Sequence, residues 1–160
     1  MKSQQIEALQ PLDAHNQKLQ SNVHPENYEN PTAADKYNLV VIGGGTAGLV
    51  AASIGAGLGA RVALVERSLM GGDCLNVGCV PSKGIISSAR TAAAVRNAGE
   101  FGVKVHDGVS VDFPAVMERM RKLRSDISPH DSVKRFNDLG VDVFLGQASF
   151  LDGSRVEVGG

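Results

Sequence analysis

Apolar residues along this chain fall into short continuous runs and into three- and four-residue spacings, and each pattern predicts an element. Tyr37–Ile42 (YNLVVI) is a short β-rich run suited to a buried parallel strand. Small residues then fill Thr46–Leu58, predicting a closely packed helix, and Arg61–Val65 predicts a second strand ending at Glu66. A long helix is predicted from near Pro81 through Ile85, Ile86, Ala89, Ala92, Ala93 and Val95, ending at Gly99–Gly102. Phe101–Val105 reads as a short strand, with His106–Gly108 as a turn. Val116, Met120, Leu123 and Ile127 form one apolar helical face, opened by Asp112 as cap beside Pro114. Ser128–Pro129 interrupts that helix, and Val133, Phe136 and Leu139 supply another apolar set up to Gly140. Val141–Leu145, Gln147–Leu151 and Arg155–Val158 read as strands, the last two about a turn at Asp152–Gly153.

Residues 1–36 read as a polar leader that either packs on the body or mediates assembly. Ala8, Leu9, Leu12 and Leu19 could line part of a short amphipathic helix, which Pro11 would interrupt or begin. Asn22–Asp35, with Pro25 and Pro31, predicts an extended linker. His15 and His24 are expected to be exposed there rather than to bind metal. His106 and His130 have no companions at a ligand spacing and are also expected at the surface.

Composition narrows the function classes. A chain of 160 residues with a formal net charge of −1 points to neither nucleic acid nor a membrane surface. The absence of Trp argues against a stacking platform for single strands. Arg119, Arg121, Lys122 and Arg124 cluster on one predicted helix and read as a solvated face paired with Glu118 and Asp126. Met1–Gln20 lacks the apolar core of a signal peptide, and Leu39–Ala63 reads as strand, loop and helix rather than a membrane span. Two cysteines are too few for a disulfide-stapled scaffold or a structural zinc site, so no metal site is expected. A reducing, cytoplasmic location suits such a pair used for chemistry.

The chemistry gathers in two stretches. Gly43, Gly45 and Gly48 follow the first strand with the spacing G-x-G-x-x-G. Gly43 would allow the tight turn, Gly45 the approach of a pyrophosphate, and Gly48 close packing of the next helix. The N–H groups opening that helix, at Thr46 and Ala47, would face the phosphates. Glu66 lies where a carboxylate binds adenosine ribose hydroxyls, favouring FAD or NAD over NADP. The second stretch is Gly71–Lys83, GGDCLNVGCVPSK, with Cys74 and Cys79 just ahead of a helix. A helix N-terminus stabilises a thiolate. The spacing alone leaves open a redox-active pair or two unreactive structural cysteines.

Gly71, Gly72, Cys74, Leu75, Asn76, Gly78, Cys79, Pro81, Ser82 and Lys83 together resemble the active-site segment of the class I pyridine nucleotide–disulfide oxidoreductases. Dihydrolipoamide dehydrogenase, glutathione reductase and mercuric reductase belong to that family. The resemblance runs from about Tyr37 to the end of the sequence and is nearest to mercuric-reductase-like members. The leader lacks the C-x-x-C module that some mercuric reductases carry.

The resemblance implies an α/β fold. Residues 37–160 would form the N-terminal part of a Rossmann-like FAD-binding domain, within a larger flavoprotein of two nucleotide-binding domains. The nicotinamide and dimerisation domains would lie outside this sequence. FAD would be the cofactor, NADH or NADPH the co-substrate, and the protein a homodimer acting on a small disulfide, dithiol or metal ion. Cys79 would be the flavin-proximal thiol, Cys74 the interchange thiol, and Lys83 a cation beside the flavin. Gly43, Gly45, Thr46, Ala47, Gly48, Glu66, Arg67, Gly72, Asp73, Cys74, Cys79 and Lys83 would hold the cofactor. Neither His106 nor His130 corresponds to the family's acid–base histidine. Three functions are carried forward: a reductase of disulfides or of a soft metal ion such as Hg(II), a dihydrolipoamide dehydrogenase, and a non-catalytic FAD-binding redox sensor.

Overall fold

The computed structural model describes residues 9–106 and 108–159. Three parallel strands form its centre: β1 (Leu39–Ile42), β2 (Val62–Glu66) and β3 (Val141–Leu145), in the order β1-β2-β3. Val40 pairs with Ala63, and Leu64 with Val143. β2 is buried along its whole length, as expected of a continuous apolar run in the middle of a parallel sheet.

Alternation assigns the two faces of the sheet. Val62, Leu64, Val141, Val143 and Leu145 join the main core with Leu49 and Ala52 of α2 (Thr46–Gly57). The same core takes Leu19 and Val23 of α1 (Ala14–Val23), with Val133 and Phe136 from the helix before β3. Ala63, Val65 and Phe144 face the other way, toward Tyr37 and the antiparallel pair β4 (Gln147–Phe150) and β5 (Val156–Gly159).

A short helix, α3 (Gly72–Asn76), follows β2, then α4 (Cys79–Arg96) and α5 (Phe113–Ile127). Asp112 caps α5 by accepting from the Ala115 N–H at 3.1 Å. α4 and α5 approach closely where Gly84 leaves room for Leu123 and Met120. A 3-10 turn at Ser128–Asp131 leads to α6 (Val133–Asp138), which Ser132 caps.

Several expectations need correction. Phe101–Val105 forms no strand: a 3-10 turn ends at Phe101, Gly102 turns left-handed at φ 75°, and Val103 and Val105 are exposed. The leader helix starts at Ala14 with Asp13 as its cap, so Leu9 and Leu12 precede it, and Ala8 lies outside the described residues. The Asn22–Asp35 stretch, read as an extended linker, begins inside α1 and is then anchored to the body: Asn30 bonds both the N–H and the C=O of Leu145, and the Tyr28 hydroxyl donates to Val143 O. Those side chains occupy the open edge of β3, which would otherwise present unpaired backbone. Finally, His24 is buried at 2 % exposure, and Arg124 is buried rather than solvated. His15 is half-buried, 3.9 Å from Glu118, whereas His106 and His130 are exposed as expected.

Candidate active site

The glycine loop between β1 and α2 adopts the conformation its spacing requires. Gly43 has φ +104°, a value that side-chain-bearing residues rarely adopt. A Cβ on Gly48 would stand 1.9 Å from the Gly43 carbonyl oxygen, so only glycine lets α2 begin this close to the turn. Gly45 caps α2 without a side chain, and the first donor bonded back to it is the Leu49 N–H. The N–H groups of Thr46, Ala47 and Gly48 therefore open the helix, the arrangement that receives phosphate oxygens.

A second pair of glycines closes against this loop. The Gly71 N–H donates to Gly44 O at 2.8 Å, and a Cβ on Gly72 would meet Gly45 Cα at 2.6 Å. The two glycine turns thus lie backbone to backbone, one carrying the phosphate loop and the other leading into the cysteine segment. Gly44, the glycine between the motif positions, is also constrained. Its N–H donates to Glu66 Oε2 at 2.6 Å, and a Cβ there would strike Met70 Sδ at 2.8 Å. Glu66 accepts a further bond from the Ser68 N–H at 2.7 Å, so both carboxylate oxygens are held and the side chain is 8 % exposed.

A groove of about 580 Å³ runs past these groups at the carboxyl ends of the strands. Gly43, Glu66, Arg67, Gly72 and Asp73 line it, as do Ser68, Leu69, Asn76, Val77 and Gly146–Ala148. The other residues expected from the sequence (Gly45, Thr46, Ala47, Gly48, Cys74, Cys79 and Lys83) lie outside its lining. Sequence reading missed Ser68, Asn76 and Gly146–Ala148. The signal for the latter was Gly146 at the end of β3, because ligands of such sheets bind beyond strand carboxyl ends. Asn76 carried a weaker signal. Its amide donates to Met70 O at 3.1 Å and Gly72 O at 2.8 Å, which leaves Oδ1 buried with no donor. A buried acceptor without a partner is costly, so one in a groove wall fits a site that receives a donor from a bound group.

Cys74 sits in α3 and Cys79 is the first residue of α4. Gly78 joins the two helices, and its N–H reaches back to Asp73 O at 2.5 Å. That fold-back explains why two thiols five positions apart meet. Both are free thiols, Cys74 half-buried and Cys79 exposed. The Cys79 thiol is pushed up, first by its hydrogen bond to Cys74 and then by the charge on Cys74. Lys83, one turn further along α4, pulls it down. Two thiols coupled in this way hold one negative charge more easily than two. No group of three metal-binding side chains occurs among the described residues.

Residues 37–157 match the pyridine nucleotide-disulphide oxidoreductase family. A dihydrolipoyl dehydrogenase of Chlamydia muridarum is 36 % identical over 128 residues, covering 78 % of this chain and 26 % of the relative. A mercuric reductase of Lysinibacillus sphaericus is 32 % identical over 126 residues, covering 79 % of this chain and 23 % of the relative. Among solved structures, the HOCl-induced flavoprotein disulfide reductase RclA of Escherichia coli, a Cu(II) complex, aligns with a TM-score of 0.60 at 28 % identity. That alignment covers 76 % of this chain and 24 % of the other. The chain thus spans about a quarter of the length of the relatives it matches.

Proposed function

The chain belongs to the pyridine nucleotide-disulphide oxidoreductases, and we propose that it is the flavin- and thiol-bearing part of an NAD(P)H-dependent reductase of disulfides or of a soft metal ion. The observation that carries this reading is the Cys74–Cys79 contact at the start of α4, with Lys83 one turn away. The groove fits the adenosine half of FAD on the grounds already given: glycine turns in which a Cβ at Gly44, Gly48 or Gly72 would strike neighbouring atoms, a held carboxylate at Glu66 and the unpaired Asn76 Oδ1. When bound, FAD would supply a two-electron link between NAD(P)H and the cysteine pair.

The thiol chemistry follows from the pair itself. The Cys74 thiolate attacks one sulfur of a substrate disulfide, and the other sulfur leaves as a thiolate that takes up a proton. Cys79, as thiolate, then attacks the Cys74 sulfur of the mixed disulfide. The second substrate thiolate departs, and a Cys74–Cys79 disulfide remains. The substrate has gained two electrons and the pair has lost two. Lys83 favours the Cys79 thiolate at the second step, because its charge acts to lower the Cys79 pKa. A soft cation would instead be held by the two thiolates before its reduction.

A second reading runs the same pair in reverse, oxidising a dithiol, and the dihydrolipoyl dehydrogenase relatives favour it. Turnover of the full-length protein with lipoamide, glutathione disulfide and Hg(II) separates these substrates. A non-catalytic redox sensor would show no steady turnover with any of them. We further propose a cytoplasmic homodimer; no helix among the described residues is long and apolar enough to cross a membrane.

The mechanism is tested by anaerobic titration of the full-length flavoprotein with NADH or NADPH. The expected result is a long-wavelength thiolate-to-flavin absorption band, lost in Cys79→Ser and kept in Cys74→Ser. An FAD-loaded protein without that band, or loss of the band only in Cys74→Ser, refutes the assignment of roles.

A further inference from the structure

The hydrogen bonds that hold the groove continue upstream, beyond the family-matched residues 37–157 and into the leader. His24 follows α1 directly, its N–H donating to Gln20 O at 2.8 Å, and it is buried at 2 % exposure. Its ring Nδ1 lies 2.5 Å from Ser68 O. A carbonyl oxygen only accepts, so Nδ1 carries the proton and donates. The Ser68 N–H donates in turn to Glu66 Oε1 at 2.7 Å, and Glu66 Oε2 accepts from the Gly44 N–H at 2.6 Å. A second path runs beside the first. The Met70 N–H donates to Val23 O at 3.1 Å, and the next residue, Gly71, donates to Gly44 O at 2.8 Å. Two routes therefore join the end of α1 to the phosphate loop.

We infer that His24 is a positioning residue for the dinucleotide groove, fixing Ser68 and through it the Glu66 carboxylate against Gly44. Ser68 is exposed and sits in the short loop between β2 and α3. Its N–H orients one Glu66 oxygen, so mobility of Ser68 passes directly to the carboxylate. A loop already held in the bound geometry spends less of the binding free energy on ordering. The leader is then part of the cofactor site, acting through the Ser68 loop. The inference rests on the assignment of the groove to FAD.

The test uses full-length apoprotein stripped of its flavin, with FAD affinity read by quenching of flavin fluorescence. The variants are His24→Phe, His24→Asn, Glu66→Gln and the double His24→Phe/Glu66→Gln. Loss of the ring donor in His24→Phe is expected to weaken FAD binding about tenfold. His24→Asn keeps an N–H near the Nδ1 position and should stay within about twofold of wild type. Because His24 acts through Glu66, the double variant should bind within about twofold of Glu66→Gln alone. A general loss of packing would instead multiply the two losses. Unchanged affinity in His24→Phe, or multiplicative losses in the double variant, overturns the inference. Should the Phe variant not fold, His24→Gln, whose amide reaches the Nε2 rather than the Nδ1 position, replaces it with the same expectation. Wild-type apoprotein that takes up no FAD overturns the reading of the groove and this inference together.

Discussion

Gly48→Ala should disrupt the protein far more than an alanine in a helix ordinarily would. Alanine is the better helix former, by about 1 kcal/mol in an open helical position. At Gly48 the added methyl would lie 1.9 Å from the Gly43 carbonyl oxygen and 3.1 Å from both its carbon and Val41 Cγ1. The first distance is about 1.5 Å inside ordinary contact, and the obstacle is backbone in a turn whose φ is +104°. Neither side can yield cheaply. Moving Gly43 breaks its N–H bond to Val65 O at 2.8 Å, and moving α2 pulls Leu49 and Ala52 out of the core. Overpacking of this kind costs about 1–3 kcal/mol, which exceeds the gain in propensity. The control is Gly57→Ala at the end of the same helix, where the new methyl meets nothing within 4 Å and φ is not in the left-handed region. Chemical denaturation and FAD uptake of the full-length variants should show Gly48→Ala destabilised by at least about 1 kcal/mol and depleted of flavin. Gly57→Ala should be neutral or stabilised by up to about 1 kcal/mol. Equal behaviour of the two variants would refute the close-approach argument.

Further outcomes concern the leader and the helix beneath it. Burial works against the Asp13 carboxylate, but the Asn16 N–H and the Arg121 guanidinium, 2.5 Å away, hold its pKa below the ordinary 3.8. A lowered folded pKa means stability that is present above 3.8 and lost as pH falls through the folded value, so leader docking should weaken only below about pH 4. Asp13→Ala removes a helix cap and an ion pair together, about 1–2 kcal/mol, and should speed proteolysis of the leader at neutral pH by about 5–30-fold. Arg124 presents the opposite case: it is buried, its Nε has no partner, and burial followed by the charge of Arg121 lowers its pKa. Arg124→Met should raise the thermal midpoint or leave it unchanged, because a desolvated charge is exchanged for apolar packing; a fall of several degrees would show that the charge is satisfied.

The parallel strands, the glycine turn and the cysteine helix were legible because each depends on local chemistry. A strand feeding G-x-G-x-x-G leaves few conformations, and Gly43 and Gly48 adopt the geometry that spacing demands. What sequence reading missed was set by long-range pairing. Nothing local marks Asn30 as the partner of Leu145, since the carboxamide does there what a neighbouring strand's backbone would do. His24 looked exposed because it stands among polar and proline residues, yet α1 carries it under the Ser68 loop. Arg124 was read by its charge, whereas its position on α5 buries it. Phe101–Val105 failed in the opposite sense: its residues suit a strand, but no strand among those described lies beside it to pair with.

The exposed apolar surface makes a last prediction about the 160-residue chain on its own. β1 pairs with β2 along one edge, and no strand among the described residues pairs with its other edge. Val40 is 41 % and Ile42 49 % exposed on that strand. Val50 and Ile54 on α2 and Leu58 just after it are more exposed still. An open edge on a parallel sheet is a template for pairing with another chain, and here apolar side chains flank it on both the sheet and the helix above. The glycine content adds chain entropy that this limited packing must overcome. Residues 1–160 expressed alone should therefore associate or aggregate and retain little FAD, while the full-length protein should elute as a flavin-loaded homodimer. Size-exclusion chromatography with light scattering and flavin absorbance on both proteins makes the comparison. A monodisperse 160-residue monomer holding stoichiometric FAD would show that the β1 edge and the α2 face need no cover, and a catalytically competent full-length monomer would defeat the dimer proposal.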